Sequence, residues 1–141
     1  MGKIKNFRDL KVWQKTHQLV LQIYKITEGF PKSEIYGLTN QIRRAVISVA
    51  SNIVEGFERK SSKDSLHFYS LNNSEENKVL TKSGSYNMAD GSLEELKYQL
   101  LVAFDLKYIN DKIYKEILDL AEEVSKMLNS WIQSQIHRKG T

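Results

Sequence analysis

The sequence has no cysteine and a single proline in 141 residues. Without thiols there is no disulfide framework, no thiolate nucleophile and no Cys-ligated zinc or iron–sulfur site. One proline and seven glycines are too few turn formers for a fold of many short strands or for a long disordered tract. No apolar run approaches the ~20 residues that a membrane-crossing helix needs. The opening stretch from Met1 to Leu10 is too polar for a secretory core. What these absences leave is an all-α protein, expected to be soluble and cytoplasmic, whose length suits one domain over residues 1–141.

Apolar periodicity then places the helices. Over 7–28, Leu10, Trp13, His17, Val20 and Tyr24 form one stripe and Val12, Leu19, Ile23 and Ile26 an adjacent one. The Gly29-Phe30-Pro31 run ends that segment, because proline cannot continue a helix. A second helix is expected over 33–55, with Leu38, Ile42, Ala45, Val46, Val49 and Ile53 inward and Gly56 as its stop. Over 111–136, Ile113, Ile117, Leu120, Val124, Met127 and Trp131 step by four and three, and Tyr114, Leu118, Ala121, Leu128 and Ile132 make a second stripe. So wide an apolar face predicts contact with another subunit through Tyr114, Leu118, Leu128, Trp131 and Ile132.

The third segment, 62–106, is irregular. Ser61 or Ser62 can cap its start, with Asp64 near the positive end of the helix dipole. Residues 72–88, NNSEENKVLTKSGSYNM, then break the pattern with Asn, Ser and Gly. If they are cut out, Ala89 follows Leu71, and Leu66, Tyr69, Ala89, Leu93, Leu96, Leu100 and Ala103 step by three and four. The expectation is one long helix interrupted by a loop at 72–88; the alternative is an ordinary loop between two shorter helices. The fold class is therefore an up-down-up-down four-helix bundle with an inserted loop in its third helix.

Little in the chain suggests catalysis. His17, His67 and His137 lie in different segments without metal-ligand spacing, and no Gly-rich phosphate loop, HExxH or GxSxG occurs. Glu55, Glu58 and Asp64 are interleaved with Arg59, Lys60 and Lys63, which reads as ion pairing rather than acid–base chemistry. Asn52, beside Val49 and Ile53, reads as a buried amide that satisfies neighbouring polar groups. No enzyme, cofactor or metal site is expected.

Charge is the stronger signal. Residues 1–63 hold twelve Lys/Arg against five Asp/Glu, whereas 64–141 hold nine against twelve. The isoelectric point is about 9.2. Such asymmetry fits a polyanionic partner, because neutralised phosphates release counterions; an ordinarily solvated surface is the alternative. Arg8, Lys11 and Lys15 step by three and four and share a helical face. Lys3, Lys5, Arg43, Arg44, Arg59, Lys60, Lys63, Arg138 and Lys139 complete the candidate nucleic-acid contacts. Tyr36, Tyr86 and Trp131 are candidates for base stacking, although aromatics at such spacing also build cores.

The runs FRDLKVWQKTHQLVLQIYKIT (Phe7 to Thr27), FPKSEIYGLTNQIRRAVISVASNIVEGFERKSSKD (Phe30 to Asp64) and GSLEELKYQLLVA (Gly91 to Ala103) resemble the four-helix bundle proteins encoded in intervening sequences of bacterial 23S rRNA genes. That family includes, as a divergent branch, the accessory variability proteins of diversity-generating retroelements, and SWIQSQIHRKG (Ser130 to Gly140) resembles their tail. The resemblance implies a homopentameric ring of bundles with a basic surface. It also implies RNA or DNA as partner, with a reverse transcriptase as the partner in the retroelement branch. The family runs straight through the position of Asn72 to Met88, so that stretch is a departure. The expected function is electrostatic nucleic-acid binding with low sequence selectivity. The alternative is an adaptor ring that docks a reverse transcriptase.

Overall fold

The computed structural model describes the backbone of residues 4–60 and 75–140, and their side chains apart from residues 60, 75–83 and 135–140. Four helices make up most of it: α1 (Lys11–Thr27), α2 (Leu38–Lys60), α3 (Glu75–Asp105) and α4 (Asp111–Gly140). Short 3-10 turns lie at Phe7–Asp9 and Lys32–Glu34, and no strand occurs among the described residues. α1 packs on α2 and α4, and α3 packs on α2 and α4, while the diagonal pairs make no close backbone approach. The helices therefore stand in a square, in chain order.

Side-chain contacts give their directions. Arg43, early in α2, reaches Thr27 at the end of α1. Gly56, late in α2, lies under the ring of Tyr86, which in turn meets Trp131 late in α4. Lys15 in α1 pairs with Glu123 in α4. Every neighbouring pair is antiparallel, which is the expected up-down-up-down bundle.

The core takes one stripe from each helix: Val12, Leu19 and Ile23; Ile42, Val46, Val49 and Ile53; Leu93, Leu96 and Leu100; Ile117, Val124 and Leu128. Burying each such side chain stabilises the fold by ~1.5–3 kcal/mol. Two threonines on α1 share this interior because their hydroxyls are satisfied within the helix: Thr16 Oγ1 donates to the Val12 carbonyl and Thr27 Oγ1 to that of Ile23, each at 2.7 Å.

The boundaries differ from the sequence expectation in instructive ways. α1 begins after a 3-10 turn and an extended Leu10. Its inward stripe is Val12, Thr16, Leu19, Val20, Ile23 and Thr27, and Trp13, His17 and Tyr24 lie on its flank. α2 starts at Leu38 and runs on through Gly56 to Lys60. Gly56 is thus no stop. It lets the Tyr86 ring pack on bare backbone, because a Cβ there would lie 2.6 Å from Tyr86 Cε1.

In the stretch expected to be a loop, Glu75 to Met88 is helical, and the interruption is confined to Gly84 (φ −3°, ψ −119°). From Tyr86 onward the core stripe is continuous through Ala89, Leu93, Leu96, Leu100 and Ala103, and Ser85 and Tyr86, within the stretch expected to be a loop, are already buried. Leu66, Tyr69, His67 and the Ser61/Ser62 cap lie outside the described residues.

The wide apolar face of α4 has a partner inside the protomer. It sits between α1 and α3 and packs on both. Leu128 is fully buried there, which corrects its assignment to a subunit interface. Tyr114, Leu118, Trp131 and Ile132 are half-buried, Tyr114 stacks on Phe104 at 4.5 Å, and among the described residues α4 carries none of the large exposed apolar side chains. Those lie elsewhere, among them Leu21, Tyr36, Ile47, Tyr98 and Leu101.

Candidate nucleic-acid interface

Because α1 and α2 are neighbours, the basic half of the sequence becomes the basic side of the bundle. The individual cations on it nevertheless have very different surroundings. Arg43 is folded inward: Nε donates to Thr27 Oγ1 at 2.8 Å and its guanidinium lies 4.7 Å from the centre of the Tyr24 ring. A guanidinium held by a hydroxyl and an aromatic face is a tie between α1 and α2. Arg44, one residue on, is turned to solvent and exposed. It sits fifteen residues before Arg59, about 22 Å along the helix, so these two candidate contacts do not form one patch.

The end where α1 begins and α2 and α4 finish gathers more. Arg8 and Lys11 are exposed there. Arg59, at the same end, pairs with Glu55 at 2.7 Å. Lys15 is half-buried and its Nζ lies 3.4 Å from Glu123. Across from Lys11, Lys126 of α4 lines the same groove. Among the described residues neither Lys11 nor Lys126 has a carboxylate within ion-pair distance. Lys126 was not singled out from the sequence; the antiparallel pairing of α1 with α4 is what sets it beside Lys11. The side chains of Lys60, Arg138 and Lys139 and the whole of Lys3 and Lys63 lie outside the described residues.

Opposite charges are tied elsewhere on the acidic side. Lys97 of α3 contacts Glu94 at 2.9 Å and Glu122 of α4 at 3.2 Å. Burial alone would lower its pKa, but the hydrogen bonds and charges of the two glutamates outweigh this and raise it. The far end of the bundle is closed by its connections: Tyr108 donates to Glu34 Oε2 at 2.9 Å and packs on Phe30. That bond to Glu34 raises the Tyr108 pKa.

Among the described residues no constellation for catalysis assembles. Asn52 Nδ2 donates to the Ser48 carbonyl at 2.8 Å and to Ser48 Oγ at 3.1 Å, and Ser48 and Ser92 share a hydroxyl hydrogen bond of 2.8 Å. The amide is structural, as its position beside Val49 implied. His17 stacks on Trp13 at 4.9 Å. Tyr86 is buried against Gly56 and Trp131, and burial pushes its hydroxyl up to about 12; it is a core residue rather than a base platform. No group of metal-ligating residues occurs among the described residues, and no described helix is long and apolar enough to cross a membrane.

The chain matches the family described as 23S rRNA-intervening sequence protein over residues 8–130. Its fold is similar to a crystal structure at 1.70 Å of a protein of unknown function from the S23 ribosomal protein family of Bacteroides thetaiotaomicron VPI-5482. The TM-score is 0.63 and the identity 20%, with 86% of this chain and 95% of the other covered. No curated protein matches.

Proposed function

Because the chain belongs to the 23S rRNA-intervening sequence protein family, we propose that it is a non-catalytic RNA-binding bundle that holds phosphates through the end where α1 begins. The observation that carries this reading is that Lys11 and Lys126 line one α1–α4 groove and that neither has a carboxylate among the described residues within ion-pair distance, although Asp9 lines the same groove. Contacts of this kind give affinity without base readout and are weakened by salt. A ring of several copies, the arrangement the resemblance implies, would repeat that cationic end once per subunit. The apolar residues free to join such copies are Leu21, Ile47, Tyr98 and Leu101 rather than those of α4.

The test is fluorescence anisotropy of a labelled structured RNA against ionic strength. The wild-type chain is expected to bind at low salt with an affinity that falls as salt rises. Replacing Lys11→Glu and Lys126→Glu together is expected to lower that affinity at least tenfold, whereas Arg44→Ala changes it less than about twofold. An absence of binding at low salt would refute the reading and favour an adaptor that docks a protein partner such as a reverse transcriptase.

A further inference from the structure

The groove between the start of α1 and the last turns of α4 has a volume of about 530 Å³, within the range of sites that enclose a small ligand and far too small for a duplex. Leu10, Val12, Met127 and Trp131 line it, so its walls are apolar with one indole among them. Lys11 stands on the α1 wall and Lys126 on the α4 wall, and the carboxylate of Asp9 is at the same site. Trp131 is held in place from behind by the edge-on ring of Tyr86, with centroids 6.2 Å apart, and Tyr86 in turn lies on the bare backbone of Gly56.

From this arrangement we propose that the groove takes one unstacked nucleotide of a single-stranded RNA segment. The base occupies the apolar slot lined by Trp131 and Met127, and Lys11 and Lys126 hold the phosphates on either side of it. The inference rests on the RNA-binding reading above and adds the ligand class and the place. The two cations on opposite walls select this occupant. A nucleotide within a strand carries a phosphate on each side of its base, whereas a fatty acid or a peptide terminus offers one anionic group. An apolar slot accepts any base, since every base has a flat π face, which agrees with low sequence selectivity. Asp9 repels a phosphate and so limits the affinity.

The experiment reads Trp131 directly. The chain has two tryptophans, and in a Trp13→Phe background the emission reports the groove alone. A short single-stranded oligouridylate is expected to change that emission saturably, with the same midpoint as its anisotropy curve, whereas a blunt RNA duplex binds without changing it. Ser130→Phe, at an exposed position that lines the groove, fills the slot without touching the core. It is expected to weaken oligouridylate binding roughly tenfold and leave duplex binding unchanged. Asp9→Asn is expected to tighten oligouridylate binding. If oligouridylate binds with no change in Trp131 emission, or if Ser130→Phe leaves its affinity intact, the groove proposal is overturned while the RNA-binding reading stands. If neither RNA binds at low salt, both fall. Saturable quenching by dodecanoate but not by oligouridylate would overturn the proposal in favour of an apolar anion.

Discussion

The two ends of the bundle use their cations differently. At the end closed by the two connections, Arg43 lies on Tyr24 and Thr27, and Phe30, Glu34 and Tyr108 bind one connection to the other. At the opposite end Lys11 and Lys126 line one groove with Asp9, and neither lies within ion-pair distance of a carboxylate among the described residues. The difference teaches that a count of Lys and Arg is not a count of charge available to a ligand. What matters is whether the head group already has a partner, and only the packing of helices decides that.

Four substitutions test this difference. The largest effect is expected for Leu128→Ala, which removes a fully buried side chain near the open end and should lower stability by about 3 kcal/mol. Urea unfolding at two protein concentrations checks it. A loss independent of concentration supports the intramolecular role of α4, and unchanged stability with a loss of assembly would restore the subunit-interface assignment. At the closed end, Arg43→Ala is expected to cost about 1–2 kcal/mol through loss of its hydrogen bond and its place over Tyr24, whereas exposed Arg44→Ala stays within ~0.5 kcal/mol. Equal effects in the same denaturation assay would erase the distinction between tied and free arginines. The smallest effect is a gain. Lys107 ends α3 with φ 65°, and the next amide, that of Tyr108, bonds back to the Ala103 carbonyl at 2.9 Å. This is a left-handed cap that glycine fills without steric cost. Lys107→Gly should therefore raise the unfolding midpoint by the equivalent of about 0.5–1 kcal/mol, and a fall would show that the lysine side chain supports that turn.

Much of the architecture was legible in the sequence because helical periodicity is a local property. The inward sets of α2 and α4 were read from spacing alone, and the buried role of Asn52 followed from its neighbours. What escaped depends on tertiary partners. Gly56 read as a helix stop since glycine usually punctuates, yet here it makes room for a ring thirty residues further along the chain. Tyr86 sat in a polar run that reads as a loop, and only its contact with Gly56 and Trp131 reveals it as core. The two stripes of α4 suggested a second molecule, but an element between two neighbours needs two apolar sides. For the candidate site, Lys11 was named on a face shared with Arg8 and Lys15, but Arg8 lies in the 3-10 turn before an extended Leu10 and not on α1, and Lys15 is held by Glu123. Lys126 was hidden because nothing within α4 distinguishes it from other exposed lysines until α1 lies alongside.

The three polar side chains Ser48, Asn52 and Ser92 have a consequence for how α2 and α3 seat against each other. Leucine and valine surfaces tolerate sliding by a turn, since one aliphatic ridge resembles the next. A hydroxyl pair bridging the seam does not: displaced by ~5.4 Å, the Ser48–Ser92 hydrogen bond is lost, at roughly 0.5–1.5 kcal/mol. That small latch gives the bundle a single axial alignment, and through it fixes the height at which Tyr86 meets Gly56.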